Sequence, residues 1–247
     1  DPSFESVNKK KACHYFKVAA DRGNVKAYHY YGYSLLNGIG IEVNKTEAAK
    51  YLKMGADAND PDSSLLYGIM LLDGDGIPAN NKESIKYIKS AIDNGNIKAY
   101  YFYGKALYNG YGVTKNQKEG IKYFKKGADK KDIDAMMAYS EVLIEGNVVP
   151  KNLKEGIRIL KNCADLGNVS SCYKYGMMLS EGILIKKDIK EAIKYFLVAV
   201  EKNDRDSLIS LGYIYYIGDG VPVNKEKALH YIKQSAELGQ TFACFLY

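Results

Sequence analysis

The sequence predicts an all-α protein, a right-handed α–α superhelical solenoid of 36-residue helix–turn–helix repeats. Three observations carry this. First, Tyr31-Gly32 returns as Tyr67-Gly68, Tyr103-Gly104, Tyr139-Ser140, Tyr175-Gly176 and Leu211-Gly212, every step 36 residues without insertion, and Tyr247 opens the next copy. Second, glycines stand where a helix must stop, at Gly38, Gly74, Gly110, Gly146, Gly182 and Gly218, each followed six residues on by an N-cap type: Asn44, Asn80, Asn116, Asn152, Asp188 and Asn224. Third, small residues recur where helices approach closely, in the column Ala27, Ser63, Ala99, Ala135, Ser171, Ser207 and Ala243 and the column Ala48, Ser84, Gly120, Gly156, Ala192 and Ala228. Bulky residues fill neighbouring columns, as in Leu35, Leu71, Leu107, Leu143, Leu179 and Tyr215. A lone unit cannot bury such faces, whereas stacked units can. Full units start at 31, 67, 103, 139, 175 and 211, residues 8–30 fit the second half of an earlier copy, and 1–247 reads as one array.

Within a unit, helix A is expected first, over about 25–37 in the first copy. Its C-terminal glycine takes positive φ, and the turn behind it holds Pro78, Pro150 and Pro222, where proline does no harm. Helix B follows, over about 45–58, opened by the Asn/Asp cap. Glu47, Glu83, Glu119, Glu155 and Glu191 lie three residues past that cap, a capping-box spacing that Lys227 breaks. Helix B ends at Gly23, Asn59, Gly95, Lys131, Gly167, Asn203 and Gly239, mostly residues that tolerate the left-handed region. Asn24, Asp60, Asn96, Asp132, Asn168 and Asp204 come next, as caps for the following helix A.

The 247 residues, 47% hydrophobic and 26% charged, suit a soluble globular protein. No apolar run reaches the roughly 18–20 residues that span a bilayer. The net charge of +6 permits an acidic partner without demanding one. The opening Asp1-Pro2-Ser3-Phe4 has neither Met nor the pattern of a signal peptide, and both ends stop inside a repeat, so a longer parent protein is expected. The four cysteines, Cys13, Cys163, Cys172 and Cys244, form neither a disulfide framework nor a zinc cluster.

The columns resemble the Sel1-like repeat, a relative of the tetratricopeptide repeat, over nearly the whole chain. The last full unit follows the family pattern as Leu211-Gly212, Gly218-Asp219-Gly220-Val221, Lys227-Ala228, Tyr231, Ala236 and Gly239 to Ala243. The resemblance implies a superhelical fold and a scaffold or adaptor role. A cysteine-rich secreted subgroup of that family bridges adjacent helices in nearly every repeat. Here only Cys163 and Cys172 approach that layout, and Cys163 is one residue, about 100° of helix, off the matching column. Free, buried thiols are therefore expected, and with them a reducing, cytoplasmic compartment; a secretory or endoplasmic reticulum location is the alternative.

Catalytic chemistry finds little support. The Gly-x-Gly turns, such as Gly38-Ile39-Gly40 and Gly74-Asp75-Gly76, lack the preceding strand and following Lys-Ser/Thr of a phosphate loop. The histidines, His14, His29 and His230, group with no Ser, Cys or Asp in a catalytic pattern. The chain is read as a non-enzyme with no cofactor, no metal and no small-molecule substrate.

Two surfaces remain. Helix B carries the basic columns Lys50, Lys86, Lys122, Arg158, Lys194, His230 and Lys53, Lys89, Lys125, Lys161, Lys233. Glu47–Lys50, Glu83–Lys86 and Glu119–Lys122 are expected to pair along the helix, which makes a nucleic-acid or membrane surface the weaker reading. On helix A, with Ala27 set at 0° and about 100° per residue, the buried stripe holds Tyr31 and Leu35, while Leu36, His29 and Tyr33 fall at about 180–240°. That face is expected to line the concave side. Its equivalents are Leu65, Ile69, Leu72; Tyr101, Lys105, Tyr108; Met137, Glu141, Ile144; Tyr173, Met177, Ser180; and Ile209, Tyr213, Tyr216. Most are apolar or tyrosine, which suits a groove for a protein or peptide; burial by neighbouring helices is the alternative. Asp134, Glu141, Glu145, Glu181 and Asp206 border the later copies and Lys26, Lys98 and Lys105 the earlier, so a partner with a Lys/Arg-rich end is expected. Tyr101, Tyr108, Tyr173 and Tyr213 are the expected hot spots. The competing functions are an accessory segment of a larger signalling or quality-control enzyme and a basic convex surface for nucleic acid or anionic membrane.

Overall fold

The computed structural model describes residues 2–239, and among them are thirteen helices and no strand. A B-type helix comes first, α1 (Pro2–Asp21). Six A–B hairpins follow: α2 (Val25–Asn37) with α3 (Lys45–Asp57), α4 (Pro61–Asp73) with α5 (Asn81–Asp93), α6 (Ala99–Asn109) with α7 (Gln117–Asp129), α8 (Ile133–Glu145) with α9 (Leu153–Asp165), α10 (Val169–Glu181) with α11 (Ile189–Val200), and α12 (Arg205–Ile217) with α13 (Lys225–Glu237). They gather into two compact units, Asp1–Ala135 and Met136–Tyr247. Unit 1 holds a core around Tyr31, Leu35, Leu52 and Leu71 and another around Ile88, Ala99 and Leu107. The core of unit 2 is built on Cys172, Leu179, Phe196 and Leu211.

The expected punctuation is in place. Gly38, Gly74, Gly110, Gly146, Gly182 and Gly218 all have positive φ, as do Gly23, Asn59, Gly95, Lys131, Gly167, Asn203 and Gly239 at the B-helix ends. Asn24, Asp60, Asn96, Asp132, Asn168 and Asp204 each accept a hydrogen bond from the backbone N–H three residues on. Where A and B helices cross, the Ser84 hydroxyl donates to the Gly68 carbonyl (2.7 Å) and the Ser140 hydroxyl to that of Gly156 (2.8 Å). A small residue at these positions thus lets a side chain of one helix reach the backbone of the other.

The capping box does not take its reciprocal form. The N–H of Asn44 donates to the carbonyl of Leu35 at 2.9 Å, and Asn80, Asn116, Asn152, Asp188 and Asn224 repeat this nine residues back. With the cap N–H already used to tie helix B to helix A, the glutamate turns elsewhere. Glu119, Glu155 and Glu191 pair with Lys122, Arg158 and Lys194. Glu47 and Glu83 instead accept from the Asn44 and Asn80 side-chain amides at 3.1 and 2.9 Å. The expected pairs Glu47–Lys50 and Glu83–Lys86 are therefore replaced by cap contacts.

Cys13, Cys163 and Cys172 are buried and are not joined in disulfides, and burial pushes the Cys13 and Cys172 thiols up. Cys172 donates its S–H to the Ala164 carbonyl at 3.3 Å. Cys244, with Ala243 and Tyr247 of the sequence columns, lies outside the described residues. Among the described residues no helix is long and apolar enough to cross a membrane.

Candidate protein-binding surface

The three columns expected to form the helix-A face differ in exposure. In the first column Leu65 is buried at 5% exposure inside the core cluster of unit 1, while His29, Tyr101, Met137, Tyr173 and Ile209 are half-buried. In the third, Leu36, Leu72, Tyr108, Ile144 and Ser180 are half-buried, and only Tyr216 is open. The middle column is the accessible one. Tyr33, Lys105, Glu141 and Tyr213 are exposed, with Ile69 and Met177 half-buried between them.

The aromatic packing explains the burial. In unit 1 the Phe124 ring of α7 lies against α6 so closely that a Cβ on Gly104 would meet it at 2.7 Å. Tyr101 and Tyr108 close over that ring, with centroids 6.1 and 6.0 Å away. In unit 2 Phe196 occupies the same place against Gly176, and Tyr173 covers it at 6.2 Å. Three of the four expected hot-spot tyrosines thus spend part of their surface shielding a phenylalanine. The fourth, Tyr213, is 58% exposed, and its neighbour Tyr216 is 59% exposed. Tyr30 and Ile217 are also exposed and fell outside the sequence-chosen set. Both lie at about 280–300° on the helix count, just beyond the arc used. A wider arc finds them.

Electrostatics narrow the set further. Of the charges expected to border the face, Lys26 is bound to the buried carboxylate of Asp60 at 2.6 Å, and Glu141 is bound to Lys174. Lys105 sits 6.0 Å over the Tyr101 ring. His29 stacks on Tyr33 at 6.1 Å with its Nδ1 buried and without a hydrogen-bond partner; burial holds its pKa down, against the pull of Asp62 and Asp60. In unit 2, burial pushes the Tyr173 hydroxyl up, and the nearby Asp206, Asp204 and Glu181 carboxylates add to the shift. Between α10 and α12 a cavity of about 310 Å³ opens, lined by Met177, Ser180, Glu181, Ile209, Ser210, Tyr213, Ile214 and Asp219. Among the described residues no group of three or more His, Cys, Asp or Glu side chains is arranged to hold a metal.

Tandem A–B hairpins with an aromatic A-helix surface define a helical-repeat protein of the α-solenoid class. The chain belongs to the Sel1 repeat family, whose model matches seven times, at residues 4–24, 25–60, 61–96, 97–132, 133–168, 169–204 and 205–240. The match cuts the repeat at the start of helix A, six residues before the Tyr-Gly pair used above, with the same period. Among solved structures the fold is similar to a Sel1 repeat protein from Oxalobacter formigenes, at TM-score 0.82 and 24% identity over 96% of this chain and 69% of that one. It is also similar to c5321, a protective antigen of uropathogenic Escherichia coli strains, at TM-score 0.71 and 23% identity over 95% of this chain. The chain spans 50% of the length of that antigen. Yeast Tom70 shares the fold more distantly, at TM-score 0.51 and 13% identity over 98% of this chain and 57% of that one. A comparison with curated protein sequences finds no match.

Proposed function

We propose that this chain is a protein- or peptide-binding scaffold that uses the helix-A face of each unit, with the open middle column supplying the contacts. The observation that carries the reading is the exposure of Tyr33, Tyr213 and Tyr216 on that face, with Tyr30 and Ile217 beside them. Large rings left in water at the surface are unfavourable for the free protein and give rigid contact area to a partner. Glu181 and Asp206, which form no ion pair among the described residues, suit a partner with a Lys/Arg-rich end. The test is selection of peptides from a display library against the full chain. Tyr213→Ala and Tyr216→Ala should each weaken the selected peptides about tenfold, in the range of a contact hot spot.

The rival surface is the basic side of helix B, which gains weight because Glu47 and Glu83 leave Lys50 and Lys86 to solvent. On the scaffold reading, Lys50→Ala and Lys86→Ala leave peptide binding unchanged. Salt-sensitive binding to anionic vesicles that is lost in the lysine variants and kept in the tyrosine variants would replace the scaffold reading with the basic-surface one.

A further inference from the structure

The cavity between α10 and α12 has an uneven polarity. Its floor is Met177, Ile209, Ile214 and the Tyr213 ring. Its two serine hydroxyls are already engaged: Ser180 donates to the Met177 carbonyl at 2.9 Å, and Ser210 to the Asp206 carbonyl at 2.8 Å. Of its two carboxylates, Asp219 holds Lys187 at 2.8 Å. Glu181 is exposed at the rim, and among the described residues none forms an ion pair with it. The groove therefore offers a ligand apolar contact and one free anionic acceptor.

Glu181 is also badly placed for the fold. It is the last residue of α10, where the partial negative charge of the helix end disfavours a carboxylate. At the same position in the other hairpins two residues serve the helix, while Asp73 and Glu145 are acidic and Ile217 is apolar. Asn37 and Asn109 close α2 and α6 by donating to the carbonyls of Tyr33 and Lys105, at 2.9 and 3.0 Å. A glutamate has no proton to give there. Glu181 lies at the rim of a groove whose lining residues include no Lys or Arg, and the nearby Lys187 is taken by Asp219.

We propose that this groove receives one long basic side chain, arginine or lysine, from an extended peptide. Its aliphatic stem lies on Met177, Ile209 and Tyr213, and its cationic head meets Glu181. The proposal rests on the peptide-binding reading and deepens it by naming the residue that anchors the basic end. At about 310 Å³ the cavity is at the lower limit of small-molecule sites, which fits a single side chain better than a metabolite. A stem that buries its methylenes while its charge stays at the wet rim matches how Lys and Arg use amphipathic surface.

The test is an NMR titration of the full chain with acetyl-Leu-Arg-Leu-amide and its norleucine and glutamate counterparts. The arginine peptide should shift amides of α10 and α12 and bind at least about tenfold tighter than the glutamate peptide. Glu181→Gln should cut the arginine-over-norleucine preference about threefold to tenfold. The same variant should melt slightly higher, because it removes an anion from a helix C-terminus; a purely structural role for Glu181 would lower the melting temperature instead. Tyr213→Ala should weaken the arginine and norleucine peptides alike. Equal binding of the arginine and glutamate peptides, an unchanged preference in Glu181→Gln, or absence of shifts in α10 and α12 overturns the groove proposal. If display-selected peptides then still depend on Tyr213 and Tyr216, the broader reading stands without it; if they do not, both fall.

Discussion

The A-to-B turns of unit 1 and unit 2 start from the same glycine and then diverge. In unit 1 the second residue after it is again glycine, at Gly40, Gly76 and Gly112, each at positive φ. A Cβ on Gly40 or Gly112 would collide with the backbone carbonyl oxygen of Lys9 or Asn81, and one on Gly76 with the backbone of Lys45. In unit 2 the column reads Val148, Leu184 and Gly220, and Val148 and Leu184 are not among the positive-φ residues. The turns differ accordingly. Ile39, Asp75, Tyr111 and Asp219 donate their N–H five residues back, to Ser34, Met70, Ala106 and Ile214. All four stand in Gly-x-Gly turns. In unit 1 the second glycine thus permits close contact with the backbone of the preceding B helix, whereas at Gly220 a Cβ would meet the Ile189 side chain.

The largest expected effect follows from that contact. Gly112→Ala adds a Cβ at positive φ and drives it into the Asn81 backbone, so it should destabilise unit 1 by about 3 kcal/mol or more. Gly95→Ala has positive φ with nothing within 4 Å and should cost only about 1 kcal/mol. Val148→Gly in unit 2 should also stay within about 1 kcal/mol, through the freedom it gives the unfolded chain. Amide hydrogen exchange in the flanking helices reads each effect locally. Equal losses for Gly112→Ala and Gly95→Ala would mean that the close approach is not what the second glycine serves.

Two buried N-caps in unit 1 give a smaller, sign-reversing comparison. Asp60 and Asp132 hold the same column, yet Lys26 and Ser63 bind Asp60 and keep its carboxyl below the usual range despite burial. Burial pushes the Asp132 carboxyl up; its cap bond from Ala135 only partly offsets this, and Asp134 adds to the rise. Asp60 therefore stabilises above its unfolded value of about 3.9, and that gain is lost as pH falls through its lowered value. Asp132 works the other way: its raised value favours the protonated form, so its ionisation costs stability as pH rises through that value. The column alternates Asn with Asp, so asparagine fits at both sites. At pH 7, Asp60→Asn should destabilise by about 1 kcal/mol and Asp132→Asn should stabilise by up to about 1 kcal/mol, and both differences should shrink in acid. Thermal melts at pH 7, pH 4 and about pH 2 check this: the Asp132 difference shrinks by about pH 4 and the Asp60 difference only below it; matching signs at pH 7 would refute it.

Successive B helices are clasped in the same manner in both units. Tyr51 donates to Asp21 and Tyr87 to Asp57, each at 3.0 Å, and Tyr195 donates to Asp165 at 2.6 Å; Lys17, Lys53 and Lys161 hold the same carboxylates. Burial, then the Asp165 bond, pushes Tyr195 up to about 12. Tyr123 stands in the same column with Lys126 4.7 Å over its ring. Tyr195→Phe should cost about 1 kcal/mol at pH 7. The native protein should lose stability as pH rises from about 10 toward 12, and the variant should lose less of it there. Tyr123→Phe should change little. A fully neutral Tyr195→Phe would show that the clasp adds no net stability.

The fold was legible because its signals repeat. A glycine stop, an Asx cap and a small-residue crossing mean little once, but in register six times they define helix ends, and the structure places α2 over the expected 25–37. The face was less legible. An angular count says which way a side chain leaves its helix and not what the next helix lays beside it, so it could not see Phe124 beneath Tyr101 and Tyr108 or the core around Leu65. Charge partners were hidden for a similar reason. Lys26–Asp60 and Lys174–Glu141 join residues more than thirty apart, while the Glu–Lys spacing on helix B gave no sign that the Asn cap would compete.

That competition supports the smallest prediction. Glu155 meets Arg158 through two hydrogen bonds, at 2.8 and 2.6 Å, whereas Glu47 meets the neutral amide of Asn44. Both contacts lie at the surface, where an ion pair is screened by salt and an amide contact is much less so. Glu155→Gln should lower the melting temperature slightly at low ionic strength, and the difference should disappear in molar salt. Glu47→Gln should give a smaller change that salt leaves in place, because glutamine still offers the Asn44 amide a carbonyl oxygen. Equal salt dependence in the two variants would mean that Glu47 turns to Lys50 in solution. The helix-B surface of the first two hairpins would then be self-paired like that of the later ones, and the basic-surface reading would lose its one distinguishing observation.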